Sequence, residues 1–210
     1  MKPTIILLAA LMAICTTASA QQVTKLPAPD LGRKTSTVAQ AYSQRKSTRE
    51  FSRKELSLQD LSDLLWAAQG QNREDGRLTA PTAMNRQEIR VYVFTKENVR
   101  LYDPHANTLT LKVEGDHRDI IAQSQDFVRE APVVLVYVAD GDAFGKTDEM
   151  SKRMMAIDVG IVSQNVNIFC SAAGFVTVPR AYMDNAAISR LLGLNENQFP
   201  MLNNPVGYPK

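Results

Sequence analysis

Five of the eight residues in "QRKSTREF" (44–51) can engage an anion: Arg45, Lys46, Ser47, Thr48 and Arg49. Arginine offers a planar fork to phosphate or carboxylate oxygens, and a serine hydroxyl adds a short hydrogen bond. Read alone, a run of this kind describes a solvated basic surface more readily than an anion cradle. Other chemistries are poorly served. The only histidines are His105 and His117, and the only cysteines are Cys15 and Cys170, so no zinc site can be assembled from Cys and His. "HRD" at 117–119 lacks the asparagine and the glycine-rich loop that would make it a kinase catalytic loop. There is no G-x-S-x-G elbow, P-loop or G-x-G-x-x-G. Any reaction therefore points to a bound cofactor as its carrier.

The elements that must position these residues follow from periodicity. Val38 to Arg45 reads as a short helix. In "ELSLQDLSDLLWAAQG", Ser57 and Asp60 have capping-box spacing, Leu58, Leu61, Leu64, Leu65 and Ala68 repeat at helical intervals, and Gly70 supplies a stop. A polar loop leads to a strand at 89–95 and a hairpin over 99–113 that turns around Pro104 to Asn107. An amphipathic helix is predicted over 117–130, carried by Ile120, Ile121 and Phe127. "PVVLVYVA" (132–139) is apolar and β-branched, and belongs in the middle of a sheet. A long helix from Asp148 to Ala173 ends at Gly174 and is apolar nearly all round from Met154, implying burial on every side in a core or a subunit interface. A strand at 175–179, a helix in "NAAISRLLGL" and a short edge strand in "MLNNPVGYP" complete an α+β domain over 37–210.

The chain opens on "MKPTIILLAALMAICTTASA", one Lys, an apolar run and small residues, the pattern of a secretory signal peptide cleaved after Ala20. "MAIC" is a poor lipobox because Ile precedes Cys15, and no twin Arg is present, so export would follow the unfolded route to the periplasm or the exterior. Residues 21–36 read as a linker. The remaining 190 or so residues suit one domain, burying roughly 70% of the unfolded surface. Without Lys2 the formal charge falls from +2 to +1, which argues against a general nucleic-acid or anionic-membrane binder. Cys170, alone after cleavage and in an apolar stretch, reads as a buried structural thiol.

Six segments in order resemble the FMN-dependent nitroreductases, and within them the SagB-type dehydrogenase branch. Arg45-x-Ser47-x-Arg49-x-Phe51 is similar to the family's opening motif. "LSDLLWAAQGQNR", "TAPTAMNRQ", "AIDVGIVSQNVNIFCSAAGF", "VTVPRAYMDNAAISRLLGL" and "NNPVGYP" resemble the segments that follow, and together they cover about 40–209. The resemblance implies a nitroreductase-like fold: a mixed, mainly antiparallel sheet flanked by helices, with the long helix at the interface of a homodimer. It implies FMN as cofactor and ping-pong hydride or electron transfer through flavin N5 with a small organic substrate.

Carried over by position, Arg45 and Ser47 contact the phosphate, with Arg49 nearby and Lys210 as a further basic contact. Thr82, Ala83, Asn85 and Gln87 match the loop that meets the flavin ring, often from the partner subunit. Pro179, Arg180 and Ala181 match the segment that approaches N5, where a backbone N–H of Arg180 or Ala181 serves and no side chain acts as catalyst. Glu88 stands where an aromatic is common in the family. The plain alternatives are a surface ion pair of Arg49 with Glu50 or Glu55 and a turn role for Asn85, while Asp158, Gln164 and Asn165 read as helix-packing and interface polar residues rather than catalysts. For the whole protein, the alternative is a non-catalytic flavin- or ligand-binding protein on the same scaffold.

Overall fold

A computed structural model describes residues 22–210, so the expected signal peptide lies outside the described residues. In chain order the elements are β1 (Val23–Lys25), α1 (Val38–Gln44), α2 (Leu58–Gln69), β2 (Ile89–Phe94), β3 (Asn98–Asp103), β4 (Thr108–Glu114), α3 (Asp119–Ala122), α4 (Phe127–Glu130), β5 (Val133–Asp140), α5 (Gly141–Phe144), α6 (Glu149–Ala173), β6 (Val176–Thr177), α7 (Asn185–Leu192) and β7 (Gln198–Gly207). The strands form one antiparallel sheet in the order β1-β4-β3-β2-β5-β7-β6.

The eight residues of β5 are all buried. Successive strand side chains face opposite ways, so Val133, Leu135, Tyr137 and Ala139 enter one core with α2 and α6. Val134, Val136 and Val138 enter the other, with Phe51, Ile121, Val128 and Ile188. The apolar run in the sequence is thus the spine of a three-layer molecule.

Helix ends follow the chemistry of their caps. The Thr37 hydroxyl accepts from the Gln40 N–H and the Gln40 side chain accepts from the Thr37 N–H, closing a box at α1. Ser57 accepts from the Asp60 N–H at α2, and Asp148 accepts from the Ser151 N–H at 2.8 Å at α6. Gly174 at φ 80° ends α6 in the left-handed conformation that glycine takes without a Cβ penalty.

Three expectations change. The stretch expected as a linker is fastened to the domain. Val23–Lys25 pairs with β4, Asp30 N–H donates to Asp63 at 2.8 Å, and Arg33 pairs with Asp60 at 2.7 Å and Asp63 at 2.8 Å. The 117–130 helix is two short helices, because Gln123 at φ 53° breaks the run. The closing segment is a ten-residue interior strand, not a short edge strand. Its pattern was hidden by Pro200, Pro205 and the buried pair Asn203–Asn204, with a bulge opposite Tyr137/Val138. Within the protomer, α6 turns Met155, Val159, Val162, Val166 and Cys170 toward the core. Met150 (60%), Ile157 (58%) and Met154 (36%) stay exposed on the protomer.

Candidate functional site

The basic run leaves α1 at Arg45 and lies along the β6 edge of the sheet. Ser47 bridges Thr177 in parallel, and Thr48 N–H donates to the Thr177 carbonyl at 3.0 Å. Ser52 N–H donates to the Tyr208 carbonyl at 2.9 Å, closing the segment onto the end of β7. Phe51 anchors it in the core. Gly207 is required beside this anchor, since a Cβ there would meet Pro132 at 2.8 Å and Phe51 at 3.2 Å. Arg45, Lys46, Ser47 and Arg49 stay exposed. Among the described residues neither Arg45 nor Arg49 forms a salt bridge, and Glu55 pairs instead with Lys96.

Thr177 is held rigidly from behind. Asn204, fully buried, accepts from the Tyr137 hydroxyl (3.0 Å) and the Ser163 hydroxyl (2.7 Å). It donates to Asn167 (3.1 Å) and to the Thr177 hydroxyl (3.0 Å). All four of its sites are used. Between the basic run and the end of α6 lies a cavity of about 200 Å³, lined by Lys46, Thr48, Asn167, Cys170, Phe175 and Thr177. Burial pushes the Cys170 thiol well above its ordinary pKa, so it stays protonated and inert, as expected of a structural cysteine.

Arg180 is 7% exposed and meets no carboxylate. Its guanidinium donates to Gln125 Oε1 (2.8 Å), Asn203 Oδ1 (2.7 Å) and the carbonyls of Tyr182 (2.8 Å) and Ile121 (3.3 Å). Burial, then the Arg49 charge, lowers its pKa from the ordinary arginine value. The Arg180 backbone N–H goes to the Asn203 carbonyl at 2.8 Å. That leaves the Ala181 N–H as the free donor of the two expected. Ala181 is exposed and keeps a negative φ, so alanine fits there without strain. Pro179 beside it is exposed.

The loop at 82–87 sits elsewhere, against the middle of α6. Ala83 N–H donates to Asp158 Oδ2 at 2.8 Å. The Thr82 hydroxyl accepts from the Gln87 N–H at 2.8 Å. The Gln87 amide donates to the Gly76 carbonyl at 3.0 Å and its oxygen meets His105 Nε2 at 3.0 Å. Thr82, Ala83 and Gln87 therefore spend these groups building the loop, whereas Asn85 is exposed. Twelve residues of α6 separate Asp158 from Cys170, about 18 Å at 1.5 Å per residue. Within one protomer the ring-loop residues and the phosphate residues are not brought together. Lys210 is exposed at the chain's end with no bonded partner among the described residues.

Sequence reading missed Asn203 and Asn204, whose only signal is two adjacent amides in an apolar terminus. It also missed what Glu88 does. Glu88 is wholly buried, with neither carboxyl oxygen hydrogen-bonded. Burial, reinforced by the adjacent Asp158 carboxylate, pushes its pKa up to about 7.

The antiparallel sheet between helix layers, spanned by one long helix and edged by an unpaired cationic run, defines an α+β fold of nitroreductase type. The sequence profile described as "Nitroreductase family" matches residues 42–208, and the chain belongs to that family of oxidoreductases. A protein of Methanocaldococcus jannaschii assigned as a nitroreductase is 30% identical over 174 residues, covering 78% of this chain and 86% of its own. The crystal structure of a protein of the same assignment from Ralstonia eutropha JMP134 superposes with a TM-score of 0.81 at 34% identity, covering 90% of each chain. Another, from Anabaena variabilis, gives 0.70 at 19% identity over 82% of this chain and 38% of its own, a likeness of fold alone.

FMN is usual in this family, and the residues present fit its phosphate end: two unpaired guanidinium groups and a hydroxyl on a braced edge. The ring-facing end fits only in part: the Ala181 N–H has no partner among the described residues, whereas Asn85 Oδ1 accepts from the Gln87 amide at 3.4 Å and the neighbouring loop groups are engaged.

Proposed function

We propose that this protein is an exported, homodimeric FMN-dependent oxidoreductase that exchanges hydride or electrons with a small organic substrate. The observation that carries the reading is the edge formed by Arg45, Ser47 and Arg49, exposed, with neither arginine paired to a carboxylate among the described residues, and braced from behind by Thr177 and Asn204. FMN, when bound, supplies the two-electron chemistry that the side chains here lack. Arg45 and Ser47 bind and orient its phosphate. Arg49, with Arg180 behind it, supplies positive charge that favours electron-rich, anionic groups nearby. The Ala181 N–H offers a fixed hydrogen-bond donor where no acidic or basic side chain is needed.

A homodimer through the apolar face of α6 answers the separation of the two halves, since the second copy then supplies the Thr82–Gln87 loop. The exposed Met150 and Ile157 support this surface. Placement in the SagB-type branch rests on the wording of "LLWAAQG". Export rests on residues 1–20 and argues for a reductant other than a cytosolic nicotinamide, or for a substrate that is itself oxidised. No helix among the described residues is long and apolar enough to cross a membrane.

Expression without residues 1–20 should give yellow protein with a flavin spectrum and a dimeric mass. Colourless protein that takes up no added FMN would overturn the proposal. Bound FMN without turnover across a broad acceptor screen would favour the non-catalytic alternative. N-terminal sequencing of protein recovered from the periplasm or medium should begin at Gln21.

A further inference from the structure

Glu88 closes the loop that begins at Thr82, and its carboxyl is fully enclosed. Both its oxygens lack a hydrogen-bond partner. Asp158, 5% exposed, faces it from α6, and the Thr82 hydroxyl adjoins it from the loop. Two carboxylates cannot bond each other, because neither has a hydrogen to give. One proton between them gives one Glu88 oxygen a partner and removes the repulsion. No cation does so: among the described residues no salt bridge reaches Glu88 or Asp158. Nearby Arg90 is spent on Asp140 at 3.1 Å, where Asp140 also caps α5. From α2 the neutral Gln69 amide donates to the carbonyl of the next residue, Ile89, at 2.8 Å.

We propose that Glu88 and Asp158 share one proton and that this proton positions the Thr82–Gln87 loop. The Glu88 O–H donates to the Asp158 carboxylate, and Asp158 Oδ2 accepts the Ala83 N–H. The loop needs such an anchor. Met84, Asn85 and Gln87 all hold positive φ, at 55°, 53° and 52°, a conformation that non-glycine residues adopt only when their surroundings impose it. Loss of the proton to solvent sets two buried charges against each other, Asp158 turns away, and the Ala83 N–H loses its acceptor. The consequence for cofactor affinity rests on the function proposed above; the effect on the loop does not.

Backbone hydrogen exchange at Ala83, read as a protection factor, tests the loop without any flavin. Wild-type protection should fall about tenfold or more from pH 5.5 to 8.5, while an amide in the centre of β5, Val136, stays unchanged. Glu88→Gln donates an amide N–H to Asp158 at every pH and should keep Ala83 protected throughout. Glu88→Ala should leave it unprotected throughout. Infrared spectra should show a protonated-carboxyl stretch in wild type near pH 6 that Glu88→Gln removes. Protection that is flat with pH in wild type, or that falls alike in wild type and Glu88→Gln, overturns the proposal, and wild type alone suffices if the variants do not fold. FMN titration in parallel should show affinity falling over the same range in wild type only. If FMN fails to bind while Ala83 behaves as stated, the functional reading is at fault and the shared proton stands.

Discussion

Arg49 and Arg180 flank one aromatic ring: their guanidinium carbons lie 5.9 Å and 5.5 Å from the centre of Phe127. Neither has a carboxylate partner among the described residues, so two positive charges meet in a partly dry environment with only neutral acceptors and a ring face to steady them. Stability and binding should respond in opposite senses. Arg49→Gln relieves the repulsion and should leave the melting temperature of the flavin-free protein unchanged or raised, while FMN affinity falls by about 1.5–3 kcal/mol, the range for a charge-assisted bond. Thermal melts and FMN titration on the same samples check both.

Arg45 is exposed, and its side chain supports no other element, so its loss should be silent in the fold. Arg45→Ala should weaken FMN by about 1.5–3 kcal/mol and Ser47→Ala by about 1 kcal/mol, with urea midpoints unmoved. Unchanged affinity in Arg45→Ala would remove the phosphate assignment.

Asn204 joins β5, β6, β7 and α6 through one amide. Asn204→Leu strands the hydroxyls of Tyr137 and Ser163 and the Asn167 side-chain oxygen, and leaves the Thr177 hydroxyl with its bond to the Pro205 carbonyl alone. The expected cost is about 3–5 kcal/mol, read from urea unfolding. Because Thr177 carries the Ser47 bridge, FMN affinity should fall with it even though Asn204 lies behind the edge.

Asp60 joins Arg33, Ser57 and Tyr208. Burial alone would raise its pKa, but hydrogen bonds from Tyr208, Ser57 and Arg33 outweigh that and hold it below the ordinary value. A depressed carboxyl stabilises the fold above its unfolded pKa, and that contribution is lost as pH falls through the folded one. Wild type should therefore lose stability below about pH 4 relative to Asp60→Asn, while at pH 7 the variant should be weaker by about 1–2 kcal/mol. Melts across pH 2.5–7 check the crossing.

Much of the fold could be read from local pattern. The β5 run, the Ser57 cap, the Pro104–Asn107 turn and the Asp148–Gly174 limits of α6 each follow from a few neighbouring residues. What failed depended on distant partners. Gln123 breaks a helix that periodicity alone would continue, and the nearby Gln125 is the acceptor for Arg180, 55 residues away. The final strand hid behind its prolines and amides because Asn203 and Asn204 are polar only to meet Arg180 and the α6 network. Residues 21–36 looked like a linker because nothing in their composition announces that Asp60 and Asp63 await Arg33.

The sequence by itself determined which chemistry was open: no zinc site from Cys and His, no G-x-S-x-G elbow or P-loop, and one run of residues suited to an anion. Residue type and short-range spacing decide such questions. Only the tertiary structure decided that this run is braced, and that the Arg180 N–H is spent while that of Ala181 is free. It also decided that the 82–87 loop is tied to Asp158 on α6, next to the buried Glu88 and away from the basic run. These are facts about which groups exclude water from one another, and enclosure is a property of three dimensions that no stretch of sequence carries alone.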